Sequence, residues 1–186
     1  MIDEEQNPWT SVKQDIKYDN PWIRITEHQT VNADGGDGIY GVVHYKNIAI
    51  GIIPLDEEYN TWLVGQYRFP LEAYSWEICE GGGLHSDNVL ESAKRELKEE
   101  LGIIAGEWIE LMQMHLSNSV SDEKGIVFIA KGLHFQQPEP EEGEVLQIKK
   151  VPIGEAYDMV MQGKLTDSLT VAGILKTKLL IDQGEI

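Results

Sequence analysis

The chain has 186 residues, long enough to bury the core of one ordinary domain, and its 41% hydrophobic and 25% charged content is that of a soluble folded protein. Fifteen basic against 32 acidic residues give a formal charge of −17, which argues against nucleic-acid backbones and anionic membranes as partners but not against a nucleotide held by a local patch or a bound divalent cation. The single cysteine, Cys79, allows no disulfide within the chain, and the start lacks a signal-peptide pattern, so the expected location is the cytoplasm.

In chain order, residues 1–20 are polar and interrupted at Asn7-Pro8 and Asn20-Pro21, which predicts a loosely held arm. Residues 22–45 alternate and are cut by "NADGGDG", the signal of a hairpin. Two β-rich runs follow, "NIAIGIIPL" and "NTWLVGQYRF", joined by the polar turn "DEEYN". A shorter run, "YSWEI", leads into three glycines that taken alone signal only a turn. Leu90, Ala93, Leu97 and Leu101 form an apolar stripe that predicts a helix over residues 88–101, with Asn88 and Glu91 as a capping box and Gly102 as the stop. Strands are expected at 107–114, 125–132 and 145–151, and helices at 155–162, stopped by Gly163, and 168–182, capped by Asp167 or Ser168. Strands, a helix, more strands and closing helices predict an α+β fold with sheet and helices in layers.

Glu96, Glu99 and Glu100 fall at i, i+3 and i+4 of the first helix, centred about 100° round from its apolar stripe. Like charges at this spacing repel. Three carboxylates on one face suit a hard divalent cation, which takes oxygen ligands and keeps water or substrate phosphate in its shell. A solvated acidic face is the alternative on spacing alone. The five histidines lack ligand spacing and read as surface or core residues.

The glycines, Asp87 and "RELKEELGI" occur together in a fixed order: Gly81, five residues, Asp87, seven residues, then Arg95. This resembles the Nudix box, in which Arg95, Glu96, Leu97, Glu99, Glu100, Gly102 and Ile103 all match the family pattern. Asp87 stands where the family usually has Glu, a carboxylate that supports the loop and the box arginine. Cys79-Glu80-Gly81 replaces the usual Pro-Ala-Gly or Pro-Gly-Gly. "WLVGQYRFPLEAYSWEICEGG" is similar to the segment before the box in ADP-ribose pyrophosphatases and related nucleotide-sugar hydrolases.

The resemblance implies a Nudix fold, an α/β/α sandwich with a mixed sheet preceded by a small N-terminal antiparallel β element. It divides the chain into residues 1–46, an arm and β element for dimerisation, and residues 47–186, the hydrolase domain. The implied activity is hydrolysis of ADP-ribose or a related nucleoside diphosphate sugar to a nucleoside monophosphate and a sugar phosphate. A hydrolase of dinucleoside polyphosphates or another nucleoside diphosphate conjugate, and a non-catalytic nucleotide-binding domain, are the alternatives. Mg²⁺, with Mn²⁺ able to substitute, is the implied cofactor, held by Glu96, Glu99, Glu100, Glu144 and the backbone carbonyl of Glu80. Arg68 is implied to meet a phosphate, Glu77 the base or ribose, and Glu142, in the acidic loop "QQPEPEEGEVLQI" where Glu139, Glu141 and Glu144 are the alternatives, the attacking water, with Glu99 and Arg95 also in the catalytic set. The implied partners are a nucleotide-sugar substrate and a second copy of the chain.

Overall fold

In the computed structural model of the chain, which describes residues 6–139, 143 and 145–186, strand formation begins inside the segment predicted to be a loose arm. The strand β1, Thr10–Asp19, pairs antiparallel with β2, Ile23–Val31, which pairs in turn with β3, Asp37–Tyr45. The two Asn-Pro breaks bracket β1 rather than interrupt it. Val12, Ile16 and Tyr18 supply the branched and aromatic residues that favour a pleated surface. Asn20 forms the first turn, its Oδ1 accepting from the N–H groups of Trp22 (2.9 Å) and Ile23 (2.7 Å). The hairpin expected in residues 22–45 is present, with Asn32 accepting from Asp34 and Gly36 and with Gly35 at φ +82°.

Residues up to Asn47 form one unit together with His115–Glu123, and Ile48–Met114 with Lys124–Ile186 form the other. In the first unit, five side chains are hydrogen-bonded in series: Ser11, His28, Thr26, His44 and Asp122. Two of the histidines that read as ordinary core or surface residues are therefore joined through one buried threonine hydroxyl.

The second unit holds two sheets. One has the order β7-β4-β9-β8, built from Cys79–Leu84, Asn47–Pro54, Lys124–Phe135 and Ile103–His115, with β4 and β9 parallel. The other, β10-β5-β6, pairs Gln147–Pro152, Asn60–Arg68 and Ala73–Glu77 antiparallel. The helices are α1, Val89–Leu101, α2, Ile153–Met161, and α3, Ser168–Gln183. Successive residues of β4 face opposite layers. Ile50 and Ile52 join Ala93, Leu97 and Leu101 of α1 in one apolar cluster. Gly51 and Ile53 meet the other layer, where Leu169 and Gly173 of α3 pack. The sheet thus lies between α1 and α3, the α+β sandwich expected.

Helix α1 begins and ends at its predicted signals. Asn88 caps it, accepting from the N–H groups of Leu90 (3.0 Å) and Glu91 (3.3 Å), and Gly102 closes it at φ +62°. The three strands expected near 107–114, 125–132 and 145–151 are present with shifted ends, and α2 starts two residues earlier than predicted, behind Pro152.

Gly102 also fixes the path of the chain as it leaves β9. Its carbonyl accepts from Gln136 N–H at 2.7 Å, and a Cβ there would overlap the Gln136 carbonyl oxygen. Left-handed backbone costs an L-residue about 1–2 kcal/mol before any clash is counted. Gly102→Ala should therefore lose more than about 2 kcal/mol in denaturant unfolding. A loss within about 0.5 kcal/mol, the range of an ordinary surface substitution, would show that the contact is not tight.

Candidate active site

Strand β7 is the edge of its sheet, with β4 on one side only. Such an edge leaves alternate N–H groups without a ladder partner. Here side chains meet them. The N–H of Ile78, just before the strand, and those of Glu80, Gly82 and Leu84 within it donate in turn to Thr170 Oγ1 (3.0 Å), Glu100 Oε2 (3.3 Å), Glu96 Oε1 (3.2 Å) and Asp87 Oδ2 (3.2 Å).

The two central bonds give a physical reason for the spacing of Glu96 and Glu100. Two residues of strand advance about 6.6–6.8 Å, and four residues of helix about 6 Å. With α1 running opposite to β7, carboxylates at i and i+4 reach successive outward N–H groups of the strand. Glycine permits the approach. Cys79, Gly81 and Gly83 share the strand face toward α1. A Cβ on Gly81 would overlap the Glu96 side chain, and one on Gly83 would lie 2.6 Å from Ser92 Oγ. The triple glycine is thus a bare strand face, not a turn.

Glu99 does not reach the strand. Its Oε2 accepts from Arg95 Nη1 at 2.6 Å, while Arg95 Nη2 donates to Glu96 Oε1 (2.6 Å) and to the Gly82 carbonyl (3.0 Å). Burial raises Glu96 above the usual carboxylate range even with Arg95 beside it. Glu100 is almost wholly buried and is also hydrogen-bonded to Cys79, whose thiol burial pushes well up. Asp87 supports the loop through Leu84 N–H and accepts from Ser86 Oγ (3.3 Å), whereas the partners of Arg95 are Glu96, Glu99 and Gly82.

Arg68 and Glu77 are brought together with each other. Arg68 Nε donates to Glu77 Oε1 (3.1 Å) and Oε2 (3.0 Å), and Nη2 also donates to Oε2. With Glu77 only 3% exposed, its carboxylate faces the guanidinium and not an open pocket. Glu80 turns its side chain the other way from the box glutamates. Its Oε1 accepts from Thr170 Oγ1 at 2.9 Å, and its Oε2 lies 3.9 Å from Arg68 Nη2. Burial and the hydrogen-bonded Asp167 raise Glu80 well above its usual range. Asp167 is held below its own, because the hydrogen bonds from Glu80 and from the backbone at Thr170 outweigh its burial.

The donor chemistry fits a hard cation: buried carboxylate oxygens, one of them with a raised proton affinity, and too little positive charge nearby. Among the described residues no three such groups are already gathered at metal-binding spacing. Glu142 and Glu144 lie outside the described residues. The segment leading to them is tied to α1: Glu139 N–H donates to the Glu99 carbonyl at 2.9 Å, and Lys98 pairs with Glu139 at 3.5 Å. Thr170 and Asp167 escaped the sequence reading as site residues. The cap signal at Asp167 was visible, but the contact of Thr170 with a strand 92 residues away was not.

A family model described as the NUDIX domain matches residues 45–168. The ADP-ribose pyrophosphatase of Mycobacterium tuberculosis is 32% identical over 130 residues, which cover 68% of this chain and 63% of the relative, so the match spans a little under two thirds of that protein. The methanol dehydrogenase activator of Bacillus methanolicus is 28% identical over 128 residues, covering 68% of this chain and 69% of the relative. A crystal structure of an ADP compounds hydrolase superposes with a TM-score of 0.84 at 20% identity, covering 96% of this chain and 97% of the other, a likeness of fold.

The raised affinity of Glu80 for its proton sets a pH dependence. The unfolded chain releases that proton above about pH 4.3. The folded chain keeps it to higher pH, so the stability Glu80 contributes falls as pH rises. Glu80→Gln retains an acceptor for Thr170 and a donor for Asp167 without the ionisation. In metal-free protein the melting temperature of Glu80→Gln, relative to wild type, should climb from about pH 4 toward pH 7. A difference that stays flat across that range would mean Glu80 titrates normally.

Proposed function

The chain belongs to the Nudix family, and from that premise we propose that it is a divalent-cation-dependent pyrophosphohydrolase cleaving ADP-ribose or a related nucleoside diphosphate sugar. The observation that carries this reading is the docking of Glu96 and Glu100 on a glycine-rich edge strand, with Arg95 and Glu99 at one side and Arg68 at the other. The names of the mycobacterial relative and of the crystal structure alike in fold point to the same substrate class.

Mg²⁺ or Mn²⁺, held by Glu96, Glu99, Glu100, Glu144 and the Glu80 carbonyl, would screen the diphosphate and lower the pKa of bound water. Arg95 joins Glu96 to Glu99 and is itself tied to the strand through the Gly82 carbonyl. Arg68 is fixed by Glu77 and offers the rest of its guanidinium to the phosphoryl oxygens, on which charge grows during attack. Glu142 takes a proton from the attacking water. Support for that role is the tether at Glu139, whose N–H donates to the Glu99 carbonyl of α1. The products are a nucleoside monophosphate and a sugar phosphate.

Residues 1–46 serve as the dimerisation element and 47–186 as the hydrolase domain. Val12, Ile16, Tyr18 and Ile39 of the N-terminal sheet and Trp22 of its first turn are exposed, apolar side chains that a second copy of the chain would cover in part. The net charge of −17 speaks against a nucleic-acid partner. No helix among the described residues is long and apolar enough to cross a membrane. The free, buried thiol of Cys79 suits a reducing cytoplasm.

A panel of ADP-ribose, ADP-glucose, GDP-mannose, UDP-glucose and diadenosine polyphosphates, each with Mg²⁺ and with Mn²⁺, tests the activity. Release of a nucleoside monophosphate from a nucleotide sugar, abolished by EDTA, is expected; no turnover of any of them would leave only a binding domain. Glu100→Gln should cut turnover by about 10²-fold or more, and Glu142→Gln by about 10²- to 10⁴-fold with substrate KM little changed. Wild-type rates in both would remove the site assignment. Light scattering should give twice the 21.0 kDa chain mass, and a monomer at all micromolar concentrations would contradict the dimer.

A further inference from the structure

Thr170 lies just past the residues that the family model matches, in the first turn of α3. It is fully buried. Its backbone N–H is taken by the capping carboxylate of Asp167 at 2.9 Å, which holds the residue in one orientation. A hydroxyl has one proton to donate and two lone pairs with which to accept. Thr170 uses both capacities on the same strand segment: it accepts from Ile78 N–H and donates to Glu80 Oε1. One side chain therefore grips the backbone of residue 78 and the side chain of residue 80. The next outward N–H, that of Glu80, is the one on which Glu100 rests.

We propose that Thr170 is a positioning residue for the cation-binding edge, fixing residues 78–80 so that the Glu80 backbone and the Glu100 carboxylate stand together. The inference rests on reading Glu96, Glu100 and the Glu80 carbonyl as cation ligands. It goes beyond that reading by assigning the register of the edge strand to a helix in the opposite layer. Burial alone does not account for the arrangement. Thr177, on the same helix, is equally buried, and its hydroxyl has no partner among the described residues. Threonine on this helix is thus tolerated without a partner, whereas Thr170 is engaged twice.

The test is calorimetric titration of Mg²⁺ into folded wild type, Thr170→Val, Thr170→Ser and Thr177→Val. Removing an outer-shell partner typically weakens metal binding about 10- to 100-fold, and Thr170→Val should fall in that range. Thr170→Ser keeps the hydroxyl and should bind as wild type does, as should Thr177→Val. In turnover of the best substrate from the panel, Thr170→Val should lower kcat and leave substrate KM unchanged, with excess Mg²⁺ restoring part of the rate. If Thr170→Val melts earlier but binds Mg²⁺ as wild type does, the role is structural only and the inference fails. Should Thr170→Val not fold, Glu80→Ala removes half of the grip and leaves the Ile78 bond. Weakened Mg²⁺ binding in that variant supports the inference, and unchanged binding overturns it. Wild type that binds no Mg²⁺ would instead overturn the cation reading itself.

Discussion

The outward row of N–H groups from Ile78 to Leu84 is the constraint on which the rest of the site depends. A buried sheet edge needs acceptors. This chain draws them from three places: a hydroxyl of α3, two carboxylates of α1 and the aspartate of the intervening turn. Each acceptor fixes its own element against β7. The glycines at 81 and 83 meet the same requirement, since α1 cannot bring Glu96 and Ser92 so close to a strand that carries side chains there. The spacing of Glu96 and Glu100 matches two steps of the strand. Glu99 is left to pair with Arg95.

Electrostatics then divides the acidic groups into different states. Burial and the neighbouring Asp167 raise Glu80 well above the ordinary carboxylate range, while Asp167 is held below its own. Glu96 is raised by burial though Arg95 touches it. Glu77 is paired with the arginine that it holds. A protein of formal charge −17 would repel a diphosphate at long range, so the cationic groups gathered here carry the attraction. Arg68 and Arg95 supply part of it. The site has fewer cations than carboxylates, and that deficit is what a divalent ion would offset.

The box helix was legible because its signals are local: an apolar stripe, a capping asparagine and a closing glycine lie within a single run. The family resemblance and the layered α+β fold were legible for the same reason. What sequence could not show were relations between distant positions. The glycine run read as a turn because its strand character comes from β4 and α1, not from its own propensity. The arm before residue 20 became β1 because β2 offered it a partner, a tertiary effect that polar composition concealed. Arg68 and Glu77, nine residues apart on paired strands, carried no mark of bonding to each other. The excursion of residues 115–123 into the first unit had no local signal either.

The central claim is that Glu96 and Glu100, anchored on the backbone of β7, face a divalent cation together with the Glu80 carbonyl. Crystals grown with Mn²⁺ and a non-hydrolysable diphosphate analogue would test it most directly through the anomalous difference map. The account predicts a Mn²⁺ peak within about 2.5 Å of oxygen atoms from Glu96, Glu100 and residue 80, with the diphosphate completing its shell. A peak elsewhere, or none on this face with the analogue bound, would contradict it.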